Sequence, residues 1–305
     1  GLPVTAVDFT PSSFLGVGAV QKVSLFDLNK PNDPVFCDDR LQNVAISALK
    51  CISDNEFYTA NQSGQLVFYD KRSSLRPLFG KLLQKFSGLQ ISQHPTTSNS
   101  LLIIYDNGKI LCWDRINTKA SLYSEHPTYH AKTIRHSKWS DTPLSVLGYY
   151  EGEIKQLSTE YSCNSDKDLF SFNVFDEILY ENVKAQNYFN SLQNNSYFKY
   201  NTMALNCLTI LPSNMLVVGV YLENTDKSFL GLVDPFAKSG ERIVCLSPLQ
   251  NKPALCTEAS KEKLIYTGTL SGQSKIFVRH FNELVRVQDV VEDYQSTIDV
   301  TVSQF

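Results

Sequence analysis

The sequence lacks the features on which most catalytic and membrane functions depend. No apolar run approaches the roughly 18 residues of a membrane-spanning helix. There is no GxSxG nucleophile elbow, no P-loop, and no GxGxxG motif following a strand pattern. We therefore predict a protein that is not an enzyme, spans no membrane, and carries no cofactor and no small-molecule ligand.

Histidine and charge are also scarce. Of the five histidines, only His126 and His130 have a metal-like spacing, and Pro127 between them argues against the helix on which two such ligands would share a face. The sequence thus predicts no metal site. Charged residues make up 19% of the chain and the formal net charge is −3, which disfavours nucleic acid as a partner.

The seven cysteines include no CxxC pair, and an odd number cannot all be paired within one chain. Four of them lie inside strand-like patterns, where a free cysteine acts as a small apolar residue. These are Cys51, Cys112, Cys207 and Cys245. A reducing compartment, cytoplasmic or nuclear, is the expected location.

What the sequence does contain is a repeat. Lys22–Asp27 (KVSLFD), Gly64–Asp70 (GQLVFYD) and Gly108–Asp114 (GKILCWD) share an alternating apolar pattern that ends in Asp, with 43 and 44 residues between successive aspartates. Weaker copies occupy Gly152–Ser158, Ser228–Asp234 and Gly272–Val278. A period near this value is typical of a four-stranded propeller blade.

Each period divides into strands and turns in the same way. In the second period we predict strands at Ile46–Ile52, Glu56–Ala60, Gln65–Tyr69 and Arg76–Leu83. Glycine in the turn before the third strand supplies a positive φ. The Asp after the third strand is expected to accept hydrogen bonds from turn amides.

One region interrupts the period by 32 residues, at about 162–200. Its apolar residues from Val174 to Leu192 follow helical spacing with gaps, so a helix is predicted there. We interpret the region as a helical insertion between blades 4 and 5. It is either a solvated loop with a packing helix or a partner-binding element anchored by Phe175, Leu179 and Phe189.

The triplets Phe68-Tyr69-Asp70 and Cys112-Trp113-Asp114, at this period, resemble WD40 repeats over about residues 4–291. The usual Gly-His pair is missing, and His94 and His136 are not placed to restore the family's hydrogen-bond network. The resemblance implies an all-β, WD40-like β-propeller: one domain over 1–305, with six full blades visible and a partial seventh blade as one alternative.

How such a ring would close is left open by the sequence. The first period begins directly at Pro3–Phe9, and one strand-like segment, Ser296–Val302, follows the last blade. That segment either closes the ring or begins a seventh blade. The third alternative is an open six-bladed propeller completed by strands of a partner, as in coat and nuclear-pore members of the family, because an unpaired blade edge promotes aggregation.

The resemblance implies a scaffold that binds protein partners within a multiprotein complex. The alternative is a substrate receptor of a cullin-type ubiquitin ligase, since Tyr69, Asp70 and Arg72 resemble the WDxR box; by that likeness Arg72 projects from the bottom face. A third alternative is an esterase-like enzyme with a top-face pocket.

Two basic clusters also stand out, one formed by Lys71, Arg72, Arg76, Lys81 and Lys85, the other by Lys132, Arg135 and Lys138. The first is interpreted as a charged edge that protects against strand pairing.

Overall fold

The computed structural model describes residues 4–39, 44–73, 77–94, 97–124, 130–136, 144–157, 170–184, 203–223, 227–247, 254–260, 264–269, 274–280 and 283–290. These residues form six four-stranded antiparallel sheets and one α-helix. In every sheet the strands are adjacent in chain order, so each sheet is an antiparallel meander. The chain separates into two compact units, one within 1–131 and the other within 132–297.

The first unit contains sheets 1 to 3. Sheet 1 consists of β1 (Val4–Phe9), β2 (Phe14–Ala19), β3 (Lys22–Asp27) and β4 (Lys30–Asp38). Sheet 2 consists of β5 (Ile46–Cys51), β6 (Glu56–Asn61), β7 (Gln65–Asp70) and β8 (Phe79–Leu82). Sheet 3 consists of β9 (Gly88–Gln93), β10 (Ser100–Tyr105), β11 (Ile110–Asp114) and β12 (Lys119–Ser124).

The second unit contains sheets 4 to 6 and the helix. Sheet 4 consists of β13 (Ala131–His136), β14 (Ser145–Tyr149), β15 (Glu153–Gln156) and β16 (Ser171–Asn173), and α1 (Val174–Lys184) follows it directly. Sheet 5 consists of β17 (Met203–Ile210), β18 (Leu216–Leu222), β19 (Lys227–Val233) and β20 (Ile243–Leu246). Sheet 6 consists of β21 (Ala254–Ser260), β22 (Leu264–Thr269), β23 (Ser274–His280) and β24 (Glu283–Val290).

The cores lie between neighbouring sheets of each unit. Between sheets 1 and 2, the Phe57 ring stacks on Tyr69 with centroids 4.9 Å apart, and Phe36 packs edge-on against both. Between sheets 2 and 3, Trp113 is fully buried and lies 5.7 Å from the Phe79 ring. In the second unit, buried residues from sheets 4 and 5 join residues of α1 in one apolar cluster. The middle strands β6 and β18 are buried on both faces because sheet 2 lies between sheets 1 and 3, and sheet 5 lies between sheets 4 and 6.

The turns before the third strands have the conformation that their glycines predict. Gly64, Gly108 and Gly152 have φ values of 82°, 79° and 88°. Only glycine adopts this backbone region without a steric cost. The glycine of the repeat is therefore a conformational requirement.

The structure corrects two boundaries. The fourth strand of sheet 2, predicted at Arg76–Leu83, spans only Phe79–Leu82 among the described residues. The range 162–200 is not wholly an insertion, because it contains the outer strand of sheet 4, β16. The helix begins at Val174 as predicted. Ser296–Val302 and Phe189 lie outside the described residues, so the predictions about ring closure and about Phe189 stay predictions.

Candidate functional site

The aspartate that ends the third strand holds the following turn. Its carboxylate accepts a hydrogen bond from the backbone N–H two residues later, which is the Asx turn expected of this residue. The described bonds run from Asn29 N to Asp27 (2.9 Å), Arg72 N to Asp70 (2.9 Å), Ile116 N to Asp114 (2.8 Å) and Phe236 N to Asp234 (3.0 Å). The four turns thus share one local geometry while carrying different exposed side chains.

The Tyr69-Asp70-Arg72 segment divides into a buried part and an exposed part. Tyr69 is fully buried, and Asp70 is 8% exposed. The Arg72 side chain is 60% exposed and donates from Nε and Nη2 to Asp70, at 2.9 and 2.6 Å. The Arg72 guanidinium holds the pKa of Asp70 below its usual value. Of these three residues, Arg72 is the one whose side chain reaches solvent, and Asp70 holds its guanidinium in place.

Glu56, at the start of β6, connects Arg72 to the third sheet. Its Oε1 lies 3.5 Å from Arg72 Nη2, and its Oε2 lies 2.7 Å from Arg115 Nη2. Arg115 is only 17% exposed and also donates to the Ser98 carbonyl at 3.0 Å. The two arginines therefore have different roles. Arg115 links sheets 2 and 3, whereas Arg72 presents its charge to solvent.

Sheets 1 and 2 are linked on the same side. The Ser12 N–H donates to Asp54 at 2.9 Å, the Ser12 hydroxyl donates to the same carboxylate, and these bonds lower the pKa of Asp54. Lys71 Nζ lies 3.8 Å from the centroid of the Phe14 ring. We call this side, which carries the turns β1–β2, β3–β4, β5–β6, β7–β8, β9–β10 and β11–β12, the turn face of the first unit.

The turn face also exposes apolar side chains. Ile116, which follows the Asx turn of sheet 3, is 70% exposed, and Leu28, in the corresponding turn of sheet 1, is 37% exposed. An exposed Arg and an exposed Ile on turns whose backbone is held by hydrogen bonds form a combination suited to protein recognition. No sequence signal separated Ile116 from the buried apolar residues before it.

The basic clusters do not act as single patches. In the first cluster, Lys71 lies on the turn face, whereas Lys81 lies on β8, 5.2 Å from the centroid of the Trp113 ring. Arg76 and Lys138 lie outside the described residues. Arg135 donates from Nε to the Leu208 carbonyl at 2.8 Å, so it links sheets 4 and 5.

The predicted anchors in 162–200 have different environments. Phe175 is only 9% exposed and packs beneath Gly152, where an added Cβ would lie 2.5 Å from its ring. Leu179 is half-buried. Phe175 is therefore a core residue that fixes α1 on sheet 4, and Leu179 is the described anchor with surface left for a partner.

Glu177, a buried carboxylate in the first turns of α1, is a feature that sequence reasoning missed. It accepts hydrogen bonds from Gly240 N at 2.6 Å, Arg242 Nη1 at 2.5 Å and Ser239 Oγ at 3.2 Å. The Arg242 guanidinium lies 4.7 Å from the centroid of the Phe172 ring. Since more than 60 residues separate these partners from Glu177, no local pattern indicates the contact.

The histidines and cysteines have structural surroundings. His136 Nδ1 lies 2.8 Å from Ser145 Oγ, and burial lowers the pKa of His94. Burial raises the pKa of the Cys51 thiol and raises that of Cys207 to about 11. Among the residues that the structure describes, no three His, Cys, Asp or Glu side chains are grouped to hold a metal ion. In the same part of the chain, no helix is long and apolar enough to cross a membrane.

No protein-family model matches this chain, and no curated protein matches it. Among solved structures, it is similar to the β-propeller domain of Cps50 (Swd1) from Myceliophteria thermophila, with a TM-score of 0.65 and 10% sequence identity. The match covers 98% of this chain and 89% of that domain. The likeness shows the fold, a β-propeller built from four-stranded antiparallel sheets.

Proposed function

We propose that this chain is a non-enzymatic scaffold that binds a protein partner through the turn face of the first unit. The observation that carries the proposal is the presentation of Arg72 and Ile116, both strongly exposed, on turns that Asp70 and Asp114 hold by hydrogen bonds. Side chains held in place before binding lose little conformational entropy when a partner contacts them.

The chemistry of the face indicates the kind of partner. Arginine is enriched among the residues that contribute most to interfaces, and its planar guanidinium can bind a carboxylate through two hydrogen bonds. Asp70 and Glu56 hold one edge of the Arg72 guanidinium and reduce the local net charge. A partner therefore needs an acceptor for Arg72 together with an apolar side chain that covers Ile116.

The experiment is affinity purification with quantitative mass spectrometry. The wild-type protein is compared with an Arg72→Glu, Ile116→Arg double variant and with Lys238→Glu, a control at an exposed residue of the second unit. We expect the double variant to lose partners that the wild type and the control both retain. If the three proteins recover the same partners, the turn face is not the binding site.

A second candidate, favoured by the exposure of Arg72 next to the buried Tyr69, is a substrate receptor of a cullin-type ubiquitin ligase. In that case Arg72→Ala abolishes binding to the ligase adaptor without lowering the melting temperature, because its side chain is mostly in solvent. Absence of the adaptor from purifications of the wild-type protein would end this candidate.

A further inference from the structure

The turn between β10 and β11 contains Asn107-Gly108, the single place in the sequence where glycine follows asparagine. Asparagine is among the thermolabile residues of proteins. The carbonyl carbon of its side chain is open to attack by the backbone nitrogen of the next residue, which closes a succinimide ring. Glycine in the next position makes this attack easiest, because glycine has no Cβ to hinder the approach of its nitrogen.

The structure repeats the geometry of this turn in sheets 2 and 4. In each turn a glycine with positive φ donates its N–H to the carbonyl three residues earlier. These bonds run from Gly64 to Asn61 (3.0 Å), from Gly108 to Tyr105 (2.9 Å) and from Gly152 to Tyr149 (3.0 Å). The residue before the glycine is Ser63, Asn107 and Glu151, respectively. Of these three turns, that of sheet 3 is the one that carries the reactive pair.

Hydrogen bonds hold the turn closed around Asn107. Besides the bond from Gly108, the Tyr105 N–H donates to the Lys109 carbonyl at 2.9 Å. The Asn107 side chain is half-buried, and its Oδ1 accepts a hydrogen bond from the Lys109 N–H at 3.2 Å. Both groups that ring closure would join, the Gly108 nitrogen and the Asn107 side-chain carbonyl, are therefore hydrogen-bonded to other atoms.

The surroundings of the turn resist its opening. The Asp106 N–H donates to the Ser87 carbonyl at 2.9 Å, which ties the turn to the residue before β9. Directly beneath the turn, Ile104 of β10 pairs with Ile110 of β11, and both side chains are buried. Opening of the turn therefore breaks backbone hydrogen bonds and separates the ends of two buried strands.

Ring closure is incompatible with these bonds. The Gly108 amide has to lose its proton, and the peptide between Asn107 and Gly108 has to turn until the nitrogen faces Asn107 Cγ. Loss of the proton removes the donor to Tyr105, and the turning of the peptide moves the Lys109 N–H away from Oδ1. We propose that Asn107 is a site of spontaneous covalent modification, which the closed hairpin of sheet 3 protects and which opening of that hairpin makes reactive.

The reaction needs water and no other reagent. The Gly108 nitrogen forms a bond to Asn107 Cγ, the bond from Cγ to Nδ2 breaks, and Nδ2 leaves as ammonia with the proton that Gly108 gives up. Water then opens the ring at either of its carbonyls and leaves aspartate or isoaspartate. Isoaspartate adds one atom to the main chain, so the turn no longer matches the register of β10 and β11. A chain modified in this way cannot restore the hairpin that protected it.

The test follows modification of Asn107 in the folded protein and in the protein unfolded by guanidinium chloride, at the same mildly alkaline pH and temperature. Proteolytic peptides are separated by liquid chromatography, and aspartate and isoaspartate are identified by mass spectrometry. We expect Asn107 to react at least about tenfold more slowly in the folded protein, which corresponds to a hairpin opening free energy of about 1.4 kcal/mol or more. Equal rates in the two states would overturn the proposal, and so would an Asn107 that stays unmodified in the unfolded chain.

Asn107→Ser is the matched control, because sheet 2 has serine at the equivalent position, Ser63. Its hydroxyl can accept the Lys109 N–H, but it has no side-chain amide to cyclise. Both proteins are aged in the folded state, and amide hydrogen exchange of peptides covering β10 and β11 is then compared. We expect faster exchange in the modified fraction of the wild type than in aged Asn107→Ser. If the variant does not fold, the unmodified fraction of the wild type replaces it. Modified chains that exchange as slowly as the control would contradict the loss of the hairpin.

Discussion

Glu177 is expected to be the most sensitive single position on α1. Glu177 is only 5% exposed. Its carboxylate accepts hydrogen bonds from the Gly240 amide, the Arg242 guanidinium and the Ser239 hydroxyl. Glu177→Ala leaves the Gly240 amide without its acceptor and the Arg242 charge without its counterion. Both groups are then held in a poorly solvated place.

The magnitude follows from these contacts. Breaking a buried ion pair by removing one partner costs about 3–5 kcal/mol. The Arg242 side chain is 17% exposed, so water partly replaces the lost carboxylate. We therefore expect the lower end of the range, about 3 kcal/mol, which corresponds to about a hundredfold change in the local opening equilibrium. Glu177→Gln keeps an acceptor for the Gly240 amide and is expected to lose less.

The assay is amide hydrogen exchange followed by mass spectrometry, because it measures α1 and β20 separately from the rest of the chain. Asp176→Ala is the matched control, since Asp176 lies in the same first turn of α1 but is exposed. We expect peptides covering α1 and the turn at Gly240 to exchange about a hundredfold faster in Glu177→Ala and nearly normally in Asp176→Ala. Equal exchange in both variants would refute the structural role of Glu177.

Three further predictions concern single sites. Gly152→Ala should lower the free energy of unfolding of the second unit by about 1–3 kcal/mol in urea titrations, because the φ of Gly152 is positive and the added Cβ meets the Phe175 ring. The control Gly80→Ala should change the free energy of unfolding little, because Gly80 has no positive φ. Burial lowers the pKa of His94 in the folded state, so below pH 6.5 the unfolded chain binds more protons than the folded chain, and the free energy of unfolding falls as the pH falls. His94→Gln should reduce this dependence of the free energy of unfolding on pH, and an unchanged dependence would contradict the role of His94. The Cys207 thiol, with its pKa raised to about 11, should resist alkylation at neutral pH until the protein unfolds, and rapid native labelling would contradict its burial.

Much of the fold is determined by local sequence. The repeat at 43 and 44 residues, the alternating apolar strands and the turn glycines together predicted four-stranded blades, and the strands of sheet 2 begin within about three residues of the predicted positions. The Asp after the third strand was predicted to accept hydrogen bonds from the amides of the following turn, and four turns with such a hydrogen bond are observed among the described residues. These features are local because each depends on side chains and backbone within about one hairpin.

The burial and exposure of the candidate site residues depend more on tertiary structure than the strands and turns do. The WDxR-like segment could be located in the sequence, but the burial of Tyr69 and the exposure of Arg72 depend on packing between sheets 1 and 2. Likewise, the sequence shows Phe175 as one of several apolar residues at helical spacing, and its burial against Gly152 and the core of sheets 4 and 5 is a product of tertiary packing. Apolar periodicity indicates that a face is covered, but it does not indicate what covers it.

No periodic pattern in the sequence predicts the contacts between residues that are far apart in the chain. Glu56 binds Arg115 across 59 residues, and Glu177 binds Arg242 across 65. A carboxylate in a strand or helix has the same local signature whether it faces solvent or a buried arginine, because its partner arrives only when the sheets pack. The sequence by itself therefore determined the strands, turns and sheet order of this chain, and tertiary structure decided which charges are enclosed and which, such as Arg72 and Lys85, stay available to a partner.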